Sequence, residues 1–373
     1  MYKNIHYFES LNGLRFIAAF LVVIHHCESI RFSYKMFNLK DFSLFNNGGL
    51  AVSFFFVLSG FLITYLLLKE KAITNEISVK KFYLRRILRI WPLYYMLVFI
   101  GTVALPAILF FISSDIKIPY SFSDVILFYI FFTPFMVNIF YGHHFLEPLW
   151  SIGVEEIFYL IWAPLIKLFR SHALIFIVLI LVLKISMITF MFLFFKNTIL
   201  YQVLSFLKFE GMAIGALGAY LVFNSRKELS SFLIFGKPFQ ILILVFIILR
   251  LTSFKYFSDG VLSFFFNTPL LSEFIFDFIF LWLILNLSLN KNHIFNLNNT
   301  ILNFLGDISY GIYMYHMLII FVVVLMFSNF LNNISGVYST ILFYFITTIL
   351  VLFVSYLSKV LFEDKFLKLK KHV

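Results

Sequence analysis

The chain reads as an all-α polytopic membrane protein with about ten transmembrane helices and one re-entrant or interfacial segment. Three observations predict this. Of 373 residues, 62% are hydrophobic and only 13% are charged, whereas soluble domains carry about a quarter charged residues. Mean hydropathy is +0.98. The apolar residues also gather in runs of spanning length, and no polar block between them could form a globular domain. Residues 1–373 are therefore expected to form a single integral-membrane domain.

The runs lie at 11–28, 48–68, 90–112, 124–140, 150–169, 173–195, 203–223, 239–254, 273–289, 304–328 and 338–362. If all crossed, the termini would lie on opposite sides and the basic tail KFLKLKKHV would lie outside. The run 124–140 is the weakest: it is short, holds Pro134 and Asn138, and leads into YGHHFLEPLW. A re-entrant or interfacial element there leaves ten spans and both termini in the cytoplasm. That arrangement places 18 of the 29 Lys and Arg residues in inner segments and seven in outer ones, as the positive-inside rule asks. The formal charge of +11, which in a soluble protein would suggest nucleic acid, here sets orientation. Arg15 interrupts the first apolar run and no small-residue cleavage site follows, so this run is expected to stay as span 1 rather than leave as a signal peptide. One cysteine, Cys27, excludes an intrachain disulfide.

Ionisable groups inside the spans are costly and point to function. In LNGLRFIAAFLVVIHHC, Arg15 and His26 are eleven residues apart, about three turns and about 16 Å along one helix face. The ten-span topology puts Arg15 toward the cytoplasm and His26 in the outer half. Glu155 and Glu156 of span 4 are expected near the depth of His26, and either could orient a histidine base. The other reading is a histidine bonded to a neighbouring span. Arg86 and Arg89, three apart at the inner mouth of span 3, suit a phosphate-bearing ligand; beside Trp91 and Tyr94 they also suit interfacial anchoring. Ser59 and Gly60 read as helix packing or close ligand approach. Asp307 is a helix-cap candidate, while Tyr310 and His316 line a path or pack. The pairs His25–His26 and His143–His144 lack the companions a metal site needs, so no metal is expected.

In order, GLRFIAAFLVVIHH, FFFVLSGFLIT, FYLRRILRIWPLYY, PLWSIGVEEIFYLIW and LGDISYGIYMYH resemble the motifs of the acyltransferase-3 family of bacterial membrane O-acyltransferases. The resemblance implies that Arg15 and His26 are an essential pair, with the spacing selecting His26 over His25. Arg86 and Arg89 match the family's Arg-x-x-Arg motif, and Ser151, Glu155 and Glu156 its Trp-Ser-x-x-x-Glu-Glu motif. Many relatives carry Asp where this chain has Ser53, so any acid assisting the histidine would here be Glu155 or Glu156.

The implied activity moves an acyl group, most simply acetyl, from acyl-CoA at the cytoplasmic face to a hydroxyl of a surface polysaccharide or lipid-linked saccharide. In it, Arg86, Arg89 and Arg15 hold the donor's phosphates, and His26 with Glu155, Glu156 and Arg15 performs the transfer. The short basic tail fits the stand-alone form, without a fused extracytoplasmic domain. The alternative is a proton-coupled transporter or exporter of acylated glycan, which would leave acyl-CoA intact.

Overall fold

The computed structural model describes residues 3, 5, 8, 10–111, 118–169, 172–225, 227–252 and 263–370. Several basic residues counted for orientation, Lys117, Arg170, Arg226, Lys255 and Lys371, lie outside them. The helices are α1 (Leu11–Ser33), α2 (Gly48–Thr74), α3 (Val79–Phe99), α4 (Leu105–Phe111), α5 (Phe122–Ile130), α6 (Phe135–Tyr141), α7 (Leu149–Leu168), α8 (Ala173–Phe195), α9 (Ile199–Phe206), α10 (Phe209–Asn224), α11 (Lys237–Thr252), α12 (Ser263–Asn267), α13 (Pro269–Leu289), α14 (Thr300–Asp307), α15 (Ser309–Asn332), α16 (Gly336–Ser358) and α17 (Asp364–Leu369). A π-helical turn at Ile100–Ala104 joins α3 to α4, and a second at Lys359–Glu363 joins α16 to α17.

Among the described residues nine helical stretches are long and apolar enough to cross a membrane. The expected span at 239–254 falls on α11 as far as Thr252; its last two residues, 253 and 254, lie outside the described residues. The run 124–140 is divided between α5, of nine residues, and α6, of seven, and neither is long enough to cross.

Internal packing divides the chain into two units, each discontinuous in sequence. The first comprises Met1–Ile77, Leu165–Met187 and Lys208–Ser309. In it α2 and α10 meet backbone to backbone. A Cβ on Gly60 would stand 1.9 Å from the Met212 carbonyl oxygen, and one on Gly215 would stand 2.0 Å from that of Val57. Small residues give helices within a bilayer this close van der Waals contact, so Gly60 serves packing. A fully buried ion pair, Arg31 to Glu28 at 2.7 Å, closes the end of α1. The other Glu28 oxygen accepts from the Leu39 amide, which anchors the following loop. At the opposite end of α1, Asn12 Nδ2 donates to Asp307 Oδ1 at 2.9 Å.

The second unit comprises Ser78–Pro164, Ile188–Leu207 and Tyr310–Val373. Its organising helix is α3. Between α5 and α6 the chain breaks at Phe132, which has φ +55°, just before Pro134. The carbonyls freed at the end of α5 are met from α3: the Tyr94 hydroxyl donates to Tyr129 O at 3.0 Å and that of Tyr95 to Ile130 O at 3.2 Å. Irregular backbone at membrane depth is tolerated only when protein supplies such partners. Phe132 stacks on Tyr94 with ring centroids 4.6 Å apart. Gly153 of α7 lies against the same break, where a Cβ would come within 2.5 Å of Phe132 O and Pro134 Cδ.

Candidate active site

In the first unit the candidates sit on α1, one continuous helix, so Arg15 and His26 keep their eleven-residue separation. His26 Nδ1 lies 3.0 Å from the carbonyl oxygen of Val22. A carbonyl only accepts, so Nδ1 carries the hydrogen and the lone pair sits on Nε2. That is the tautomer a general base needs. His25 is used differently. Its Nδ1 donates to Phe45 O at 3.2 Å, and its ring fills the space beside Gly48, where a Cβ would come within 2.5 Å of Cδ2. His25 thus packs the start of α2 onto α1.

In the second unit α3 and α7 bring the expected arginines and carboxylates together. Trp91 Nε1 donates to Glu156 Oε2 at 3.0 Å, and the Tyr159 hydroxyl donates to Glu155 Oε2 at 2.7 Å. The Arg86 guanidinium lies 5.6 Å from the ring centres of both Phe82 and Tyr159, which pack edge to face on each other with centroids 6.4 Å apart, so the cation rests against an aromatic pair. Arg89, Glu155 and Glu156 all act on it electrostatically. The Tyr310 hydroxyl donates to Ile90 O at 3.2 Å, in the field of Arg89, Glu155, Glu156 and Glu363. Glu363, in the second π-helical turn, accepts from Ser358 Oγ at 2.9 Å.

This arrangement corrects the depth read from the sequence, which put Arg86 and Arg89 at one membrane mouth and Glu155 and Glu156 near the other end of their span. The physical reason lies ahead of α7. Phe145, Leu146 and Leu149 are buried, and Leu146 packs where a Gly101 Cβ would be. The start of α7 is thus seated beside the π-helical turn that follows α3, and two turns later Glu156 reaches Trp91 near the middle of α3.

Lys370, just beyond α17, was legible only as part of a basic tail. It shares the surroundings of Arg85, Arg86 and Arg89, and burial together with these three cations pushes its ammonium down to about 7. Trp91, which the sequence offered as an interfacial anchor, holds Glu156. Ser151 Oγ is 2.7 Å from the Tyr313 hydroxyl, and both lie within reach of Pro148 O, at 3.2 and 3.1 Å, so one hydroxyl donates to the other and the other to the carbonyl; this ties α7 to α15. His316 is fully buried and donates Nδ1–H to Tyr313 O at 2.6 Å, a packed position.

Among the described residues no group of three or more His, Cys, Asp or Glu side chains is arranged to hold a metal. His143 pairs with Glu147 at 2.8 Å. His144 Nδ1 accepts from the Leu146 amide at 3.1 Å, and burial next to His143 pushes its imidazole down to about 3.

Residues 8–360 match the family model of the acyltransferase-3 family, described as an acyltransferase domain. The chain belongs to this family. Relatives include the protein named "Putative O-acetyltransferase SACOL0978" of Staphylococcus aureus (strain COL), 34% identical over 169 residues, or 43% of this chain and 24% of the relative. The peptidoglycan O-acetyltransferase OatA of Listeria monocytogenes is 30% identical over 169 residues, 44% of this chain and 25% of its own. "Putative peptidoglycan O-acetyltransferase YrhL" of Bacillus subtilis is 30% identical over 165 residues, 42% and 23%. The match thus spans about a quarter of these relatives' length. No solved structure matches the chain.

The geometry of this acyltransferase-3 member makes the Trp91–Glu156 bond testable. Trp91→Phe keeps an aromatic side chain, though a smaller one, and deletes the donor, leaving Glu156 Oε2 without it, and should cost about 1–3 kcal/mol. In a thermal-denaturation double-mutant cycle with Glu156→Leu, the double variant should lose clearly less than the sum of the single losses. Additive losses would show that the bond carries no energy.

Proposed function

We propose that this chain is an O-acyltransferase that moves an acyl group, acetyl in the simplest case, from acyl-coenzyme A to a hydroxyl of a glycan. The carrying observation is the gathering of Arg85, Arg86, Arg89 and Lys370 in one part of the second unit. Interfacial anchoring asks only that basic side chains reach headgroups. It gives no reason to seat Arg86 against an aromatic pair or to crowd a lysine against three arginines. A ligand with several phosphates relieves that repulsion, and guanidinium forks bind phosphate oxygens in pairs. Coenzyme A is such a ligand. Arg15 of the first unit is a further candidate donor-binding cation. Glu155 and Glu156, engaged by Tyr159 and Trp91, position the Arg86 side of the site; whether they also tune the proposed base is read from the pH profile of Glu155→Gln and Glu156→Gln.

His26 supplies the base. Its Nε2 lone pair takes the proton of the acceptor hydroxyl as the oxygen attacks the thioester carbonyl. A C–O bond forms, the C–S bond breaks, and the coenzyme A thiolate leaves and takes up a proton. Transfer by way of an acyl-histidine is the two-step version of the same chemistry. The naming of two relatives as peptidoglycan O-acetyltransferases supports a cell-surface glycan as acceptor. The positive-inside bias supports cytoplasmic termini and a cytoplasmic donor.

Two outcomes test this reading. In a strain carrying His26→Ala at normal protein levels, the acetyl content of surface glycan should fall to background while His25→Asn retains acetylation. Unchanged acetylation in His26→Ala would remove the base. Because Lys370 loses its proton as pH rises through about 7, coenzyme A binding measured by calorimetry should weaken above that pH, and Lys370→Gln should flatten the dependence. An unaltered profile in Lys370→Gln would take Lys370 out of the donor site.

A further inference from the structure

A second charged cluster lies in the first unit, and nothing in the proposed reaction uses it. Lys184 of α8 places Nζ 3.5 Å from Glu210 Oε2, with the two side chains 7% and 1% exposed. Lys208 Nζ donates to Glu273 Oε1 at 2.5 Å. Asp277 stands one turn beyond Glu273 on α13, 2% exposed. Its Oδ1 has no hydrogen-bond partner among the described residues, and the charges of Glu210, Glu273 and Lys208 act on it. The carboxyl lies against bare backbone of α10, where a Cβ on Gly211 would come within 3.3 Å of Oδ2 and 3.4 Å of Oδ1. The remaining surroundings are aromatic. On α2, Phe54 meets Phe280 and Phe56 packs beside Gly211. From α11, the Arg250 guanidinium lies 5.4 Å over the Phe276 ring and donates to Asn47 at 3.4 Å.

Two lysines pair with two carboxylates and leave the third over. An ionised carboxylate held in an apolar interior without donors is too costly to persist, so the site takes up one compensating positive charge. The backbone fits such a site. Inside the apolar stretch Ile199–Asn224, helix α10 starts only at Phe209, with Lys208 non-helical before it. Helix breaks inside a membrane protein are where ions and protons are commonly held.

We propose that Asp277 is a proton-exchange site, with Glu210 and Lys208 as its charged neighbours. Its use, though not its existence, rests on the acyl-transfer reading. In each turnover the acceptor oxygen gives up a proton to the base and the coenzyme A thiolate takes one up, and both events fall within the membrane domain when donor and acceptor enter from opposite faces. A buried carboxyl that gains and loses a proton is suited to exchange those protons with water.

The test is dicyclohexylcarbodiimide labelling of the full-length protein in membranes, because this apolar reagent couples only to protonated carboxyls. Mass spectrometry should map the adduct to Asp277, with labelling that falls as pH is raised and that Asp277→Asn abolishes. Label confined to Glu210 or Glu273, or none at Asp277 at any pH, would overturn the proposal. So would thermal stabilisation by Na+ that Asp277→Asn removes, which would make the occupant a metal cation. Mapping on the unaltered protein answers the question even if Asp277→Asn fails to accumulate. Labelling needs no turnover, so its failure and that of the acyl-transfer reading are separately visible.

Discussion

A polar group in an apolar phase must find its partner within the protein, and in the second unit α3 supplies those partners. Four aromatic side chains along it turn hydrogen-bond donors outward in sequence: Tyr83 to Leu160 O, Trp91 to Glu156, Tyr94 to Tyr129 O and Tyr95 to Ile130 O. The last two allow α5 to end within the protein. Tyr83 and Trp91 fix the register of α7 against α3, and that register sets Glu155 and Glu156 beside Arg86. Without this row of donors the Tyr129 carbonyl would keep only its 3.3 Å bond from the Phe132 amide and the Ile130 carbonyl would lose its Tyr95 donor. Fold and site thus share one cause, the satisfaction of buried polar groups.

The two units handle charge in different ways. In the second, Arg85, Arg86 and Arg89 are gathered with Lys370 near Glu155, Glu156 and Glu363, so the cations exceed the carboxylates by one and the site gains from an incoming polyanion. In the first, carboxylates outnumber lysines and one acid is left over. The cation-rich arrangement fits the proposed donor site, and the left-over acid fits the proposed proton exchange.

Much of this was legible in the sequence. Hydropathy marked the spanning helices because apolar length is what a bilayer selects, and Pro134 with Asn138 marked the segment that does not cross. The family resemblance singled out His26 by its eleven-residue spacing from Arg15; the packing of His25 against Gly48 was not legible. Depth was less legible. It was counted from the ends of apolar runs, and the start of α7 is fixed instead by the buried Phe145, Leu146 and Leu149. Trp91 looked like an interfacial anchor because composition cannot tell a lipid-facing indole from one bonded to a carboxylate. Asp277 escaped because its meaning lies in what is missing around it, and only a three-dimensional arrangement reveals a missing partner.

Transfer across the membrane from a cytoplasmic coenzyme A thioester is the claim on which the account stands. It is measured most directly with sealed vesicles of both orientations carrying this protein and a luminal or external glycan acceptor, supplied externally with acetyl-labelled coenzyme A. The account predicts labelled glycan in the lumen of inside-out vesicles and none with right-side-out vesicles until they are permeabilised. Equal labelling in both sealed orientations, or acceptor labelled only on the donor's own side, would contradict it.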